Sequence, residues 1–253
     1  MSLDKCKILA GKDIPINEEI TLKQPTVGEV IDFGESRFFN TFYSFCSIPS
    51  DMKSFLWDLK IDFMKISDWE LFINLTRNLS ADDTRLIFNN IDFSSYDIGQ
   101  ISEDGKDEPK VILYHLNEDR KIDHIIDEDM YNSFIDYVRE MIGYSLKREK
   151  AMNKVTKMAM IEEDRINRAH PKKNSDESFL FTAIVSLVNT EEFKYTYESV
   201  LDITIYQLMK SFYQIQNKKS ACALYQGSMS GFVDTSKIDK KAFNWTYTND
   251  KKL

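Results

Sequence analysis

Glycine and proline are scarce in this chain, 8 and 5 among 253 residues. So few forced breaks suit helices better than a turn-rich β-sandwich, whose tight connections depend on those two residues. Cysteine is scarcer still. Cys6, Cys46 and Cys222 are odd in number, far apart and form no CxxC pair, the pattern of free thiols in a reducing compartment. No window approaches the roughly 18 consecutive apolar residues that a membrane span needs. The opening residues, MSLDKCKILAGKD, hold no apolar signal core, so the expected protein stays where it is made, with no membrane partner. Positive charge is also in deficit. A formal net charge of -8 argues against nucleic acid as a partner of the whole molecule.

The spacings that catalysis leaves are missing as well. A phosphate cradle needs closely grouped glycines so that backbone N–H groups approach the anion, and no GxGxxG or Walker pattern exists. Gly227-Ser228-Met229-Ser230-Gly231 resembles a nucleophile elbow, but Met229 occupies the position that serine must hold. Of the three histidines, His115 and His124 face each other across an expected turn with Asp123 near, yet a metal site needs three or four converging ligands. His170, before Pro171 in a charged stretch, reads as solvated. The acid runs Asp127-Glu128-Asp129 and Glu162-Glu163-Asp164 do not converge on a helix, where consecutive side chains point about 100° apart. The first reads as a helix start and the second as a wet face. The expectation is no enzyme, no cofactor and no metal.

What the chain does have is aromatic residues, 17 Phe, 12 Tyr and 3 Trp, and helix starts. Residues Ile14 to Leu22 alternate loosely, as a short strand does. Thr26 with Glu29 forms a capping box, Gly34 interrupts the helix that follows, and Phe38, Phe39, Phe42, Tyr43 and Phe45 continue it to Pro49. A helix from Ser50 to Leu59 is expected to face Phe55, Leu56 and Leu59 to one side. Ser67 with Glu70 opens another, filled by Trp69, Phe72, Ile73 and Leu79. Ser80, with Asp82 and Asp83, opens a short one ending near Phe88.

Between Asp97 and Asp129 the character changes, with 11 acidic against 4 basic residues, a local balance of -7. Val111 to Leu116 and Lys121 to Ile126 read as a hairpin around Asn117-Glu118-Asp119-Arg120. Helix returns from Met130 to Ile142 and from Ser145 to about Ala169, with Met152, Val155, Met158, Ala159 and Ile161 at helical spacing. Ser145 to Lys173 carries 9 basic and 4 acidic residues, a balance of +5. That stretch is a weak nucleic-acid footprint; attraction to the -7 stretch, within one molecule or between copies, is the alternative.

Residues 103–109 and 169–174 read as linkers, and Ser178 to Val188 as a buried helix. Leu201, Ile205, Leu208, Phe212 and Ile215 then fall at steps of 4, 3, 4 and 3, an a/d seam. Two heptads are too short for a free coiled coil, so the seam packs either on the protein's own core or on a partner helix. The tail from Gly227 carries Phe232, Val233, Ile238, Phe243 and Trp245 as scattered anchors. The expected class is mainly α, a multi-helix protein with a small β-hairpin insertion in the middle. It divides into a helical region (1–96), an acidic linker and hairpin (97–126), and a helical region with an extended tail (127–253).

Three patches carry a family resemblance. One is Lys147-Arg148-Glu149-Lys150-Ala151-Met152-Asn153-Lys154 leading to Met160-Ile161-Glu162-Glu163-Asp164-Arg165; another is Ile203-Thr204-Ile205-Tyr206-Gln207-Leu208. The third runs from Ala223-Leu224-Tyr225-Gln226-Gly227 through Ser236-Lys237-Ile238-Asp239 to Asn244-Trp245. Together, over Asp127 to Trp245, they resemble proteins of the tail assembly chaperone type, encoded in tail gene clusters of phages and prophages of Gram-positive bacteria. The resemblance implies a non-enzymatic protein of the host bacterial cytoplasm. It would bind the phage tape measure protein, recruit tail tube subunits, and be absent from the finished virion. Gly231, Asp234, Lys237, Ile238 and Trp245 match the family-like ending, which reads as a docking segment or as a strap on the protein's own core. The rival expectations are a structural virion component, a tail or connector subunit, and an enzyme using His115 and His124.

Overall fold

The computed structural model describes residues 4–18, 20–89, 91–102, 109–170, 178–231, 234, 236 and 238–246. Its architecture is mainly α with two small sheets. Local chemistry sets the helix starts. Asp4 caps α1 (Lys5–Leu9) through the Cys6 and Lys7 amides. A two-stranded ribbon, β1 (Ile14–Pro15) against β2 (Thr21–Leu22), follows. The Thr26 hydroxyl then accepts from the Glu29 amide, while Glu29 accepts from the Thr26 amide at 2.8 Å, opening α2 (Val27–Phe33). Gly34, at φ +98°, turns the chain in a way open to glycine and starts α3 (Glu35–Cys46).

The expected helix Ser50–Leu59 is shorter. Pro49–Asp51 forms a 3-10 turn, and α4 (Lys53–Asp58) buries Leu56 while Phe55 and Leu59 stay exposed. Six residues present too narrow a face to bury all three. Capping boxes at Ser67/Glu70 and Ser80/Asp83 open α5 (Asp68–Thr76) and α6 (Ala81–Thr84).

The middle holds three strands, not the expected two. β3 (Tyr96–Ile101), β4 (Lys110–Leu116) and β5 (Ile122–Ile126) pair antiparallel in that order. Asp97, Gly99 and Gln100 hide β3 in the sequence. Gly99 is there because the Tyr114 ring lies across it, and an added Cβ would come within 2.9 Å of that ring. In the β4–β5 turn the Asn117 side chain accepts from the Asp119 and Lys121 amides, both at 3.0 Å.

Asp127 caps α7 (Glu128–Met141). The expected helix from Ser145 begins later: residues 145–152 form a strap without regular secondary structure, and Asn153 caps α8 (Lys154–Ala169). α9 (Phe179–Val188) buries Leu180, Ala183, Ile184 and Leu187, but Phe179 and Phe181 face outward, so it is a half-buried helix. The last helix is α10 (Ile205–Met229).

The main core is a knot of rings. Phe72 packs on Phe45, Trp69, Phe93, Tyr131 and Phe134 with centroids 4.9–5.9 Å apart. Trp69 donates its indole N–H to the Val111 carbonyl at 2.9 Å, tying α5 to the sheet. This core draws residues from all three expected regions, including Phe45, Leu113, Ile126, Phe134 and Leu208. A second, smaller core of Leu56, Phe63, Leu71 and Ile161 joins α4 and α5 to α8.

Candidate protein-binding surface

The expected seam divides between three settings. Leu201 lies before the helix, in the 3-10 turn Ser199–Asp202, so the five residues do not form one helical stripe. The physical reason is the cap. Thr204 and Gln207 form a capping box, and Ile205 donates its amide to the Pro25 carbonyl at 2.9 Å, which starts α10 beside the start of α2. Ile205 and Leu208 are buried, while Phe212 and Ile215 pack half-buried on the main core. Past Ile215 only Ala221 of the helix is buried.

The tail folds back along this outer half of α10. Gln214 donates to the Trp245 carbonyl at 2.6 Å, the Tyr225 and Phe243 rings meet edge to face at 5.2 Å, and Lys218 lies 5.9 Å from the Trp245 ring centroid. Ile238 is half-buried. Asp234 accepts from the Ser236 amide at 2.9 Å, and the hydrogen bonds from Ser236 hold its carboxyl below the usual range. Gly231, at φ +72°, has nothing within 4 Å of the place an added Cβ would take. Lys237, Phe232 and Val233 lie outside the described residues, as do most of the two expected linkers.

Among the described residues, the basic stretch finds its ion-pair partners in the N-terminal third rather than in the -7 stretch. Arg148 forks onto Asp68 at 2.7 and 3.0 Å, Lys157 meets Asp62 at 2.5 Å, and Arg165 meets Asp58 at 2.6 Å. Lys53, itself buried, reaches Glu149 at 2.7 Å. Asp164 is no wet carboxylate: it accepts from the Ser54 amide and hydroxyl at 2.8 and 2.6 Å and from Arg168 at 3.2 Å. The strap and α8 are thus latched to α4 and α5 by ions around one buried side chain, Ile161.

Several apolar side chains on and just before α8 are exposed, interleaved with the exposed Glu162 and Glu163. Met152, in the strap, is 95% exposed, and on the helix Val155 is 79% exposed, with Met158 and Ile166 also exposed. The helical spacing anticipated Val155 and Met158 but not Ile166, placed Met152 on the helix, and did not separate inward Ile161 from its outward neighbours.

The latch titrates. Hydrogen bonds from Lys157 and from Lys53 hold Asp62 and Glu149 below their ordinary values of 3.8 and 4.5. Burial pushes Asp164 up, but the Ser54 bonds and Arg168 outweigh it and leave it low. Carboxyls held low stabilise docking above their ordinary values, and that contribution is lost as pH falls through the depressed ones. Acidification below about pH 4 is therefore expected to free α8 while the ring core persists. Amide exchange resolved by segment checks this; α8 and the core opening together would refute it.

The histidine pair sits apart from this surface. His115 and His124 are cross-strand partners with ring centroids 6.0 Å apart, and His115 Nδ1 lies 2.7 Å from Asp123, whose carboxyl that bond holds low. They line a cleft of about 420 Å³ with Asn89, Asp92 and Tyr96. Among the described residues no group of three His, Cys, Asp or Glu side chains converges as metal ligands would. Burial pushes the Cys46 thiol up to about 12, and Cys6 and Cys222 are exposed. No helix among the described residues is long and apolar enough to cross a membrane.

These features define a mainly α scaffold with apolar side chains displayed on helices. Residues 172–248, which include α9, α10 and the folded-back tail, match a family model described as the YomV second domain. That name comes from a phage and prophage gene cluster, which suggests a phage origin. No curated protein and no solved structure matches the chain.

Proposed function

We propose that this protein is a non-enzymatic tail assembly chaperone of the host bacterial cytoplasm, binding the tape measure protein and tail tube subunits during phage tail morphogenesis. The observation that carries this reading is the set of exposed apolar side chains on α8, Val155, Met158 and Ile166, displayed on an acidic protein. Client helices bind such faces by their own i, i+3, i+4 positions, while net charge limits self-aggregation. The family match lends support, because it overlaps the stretch that carries the tail-chaperone resemblance.

Co-expression with the tape measure protein is the test. A soluble complex is expected, and Val155→Glu with Ile166→Glu is expected to cut its yield about tenfold by putting charge into an apolar contact. A tape measure protein that stays insoluble beside the folded chain overturns the reading. Mass spectrometry of purified particles separates the alternative, since a stoichiometric amount there identifies a tail or connector subunit.

A further inference from the structure

A second surface lies on the other side of α5. A groove of about 590 Å³ runs between α5, the loop after α4 and the end of the sheet, floored by Ile61, Ile66, Ile73, Ile98 and Val111. Ile98 and Leu113 are register partners on adjacent strands, yet Leu113 is fully buried and Ile98 is 48% exposed. The cover over the sheet therefore runs out between β4 and β3. In the described sheet β3 is an edge strand, and its Ile98 lines the groove.

The charges on the rim are unequal in availability. Asp62 is taken by Lys157 and by the Met64 amide, and Glu70 by the Ser67 amide at 2.8 Å. Lys60 and Lys65 are exposed and make no ion pair among the described residues. The groove thus presents an apolar floor under two exposed ammonium groups, of which Lys65 also acts on Asp62 across the rim.

Lys60 carries an independent mark. It ends α4 in a Schellman motif: Ile61 donates to the Leu56 carbonyl at 2.8 Å and Lys60 to the Trp57 carbonyl at 2.9 Å. Lys60 sits at φ +63°, where glycine is the easy residue and a side chain is strained. Holding a lysine there costs stability, and what it provides is a cation at the rim.

We propose that this groove docks an extended, acidic and apolar segment of a partner protein, laid as an added strand along β3. Its apolar side chains enter the floor and its carboxylates meet Lys60 and Lys65. In a strand, residues two apart share a face, so apolar and acidic residues must alternate at every second position to serve both. This groove is separate from the outward side of α8, and its occupant need not be the tape measure protein.

The probe is a fluorescein-labelled peptide of three Ile-Thr-Glu-Thr repeats, with Ile-Thr-Lys-Thr repeats as control, read by fluorescence anisotropy against the full chain. The glutamate peptide is expected to bind saturably, about tenfold tighter than the control, and to slow amide exchange in β3. Lys60→Glu with Lys65→Glu is expected to reverse that preference. Lys60→Gly separates binding from folding: it is expected to raise Tm by about 2–4 °C while weakening the glutamate peptide. No saturable binding, equal binding of both peptides, unchanged β3 exchange, or an unchanged affinity in a stabilised Lys60→Gly variant would each overturn the proposal. None of these outcomes bears on whether the tape measure protein co-purifies.

Discussion

Phe72→Ala is expected to destabilise the protein by about 3–5 kcal/mol. The residue is fully buried, and its ring touches five others drawn from α3, α5, α7 and the segment before β3. Truncation removes the transfer free energy of the ring and leaves a hole that rigid aromatic neighbours fill poorly, so the cost belongs at the upper end for a core deletion. Against a total of about 5–15 kcal/mol, that loss takes roughly a fifth or more of the stability. Phe55→Ala is the control. Its ring is 45% exposed on the outer side of α4, and a change within about 0.5–1 kcal/mol is expected. Urea midpoints at constant slope measure both. A loss below about 1 kcal/mol at Phe72 would mean that the ring knot is not the centre of the core.

Asp68→Ala is the second large effect, expected at about 2–3 kcal/mol. Asp68 stands in the first turn of α5, where the helix dipole favours an anion, and its carboxylate gathers two arginines from distant segments. Arg139, 3.5 Å away, is buried and also donates to the Cys46 carbonyl and the Tyr131 hydroxyl. Removing the carboxylate leaves that guanidinium with neutral acceptors and the peripheral Asp136. The usual 3–5 kcal/mol for orphaning a buried charge is cut to about 2–3 because Asp68 keeps some contact with solvent. Arg148→Ala breaks the other fork, but its side chain is largely exposed, so a loss of less than about 1 kcal/mol is expected. Chemical denaturation of the two variants decides the matter. Equal losses would show that Arg139 does not depend on Asp68.

The parts of the fold legible in the sequence are those decided within one helical turn. Thr26 with Glu29, Ser67 with Glu70, and Asp127 mark helix starts because a short polar side chain meets the free amides three residues on. Residues 145–152 were illegible for the opposite reason. Their composition favours helix, but Asp68, Ser50 and Lys53 bind the strap from outside it. β3 was hidden because its strand character comes from pairing with β4 rather than from its own residues. The seam spacing from Ile205 to Ile215 was readable, whereas what it packs against was not. Of the candidate surface, periodicity revealed some apolar residues of α8 but not which faced outward. The groove under Lys60 and Lys65 was invisible, since its walls come from three separated segments.

The excursion that carries α8 leaves the main core after Tyr144 and rejoins it at Leu180, so chain connectivity persists when Ile161 lifts away. Return is then a unimolecular event, driven by a local concentration in roughly the millimolar range that dilution does not alter. A free peptide aimed at the Leu56–Phe63–Leu71 surface must outcompete that tethered helix. Weak ligands will therefore miss this surface, and a long multivalent polypeptide is the kind of competitor suited to prise it open.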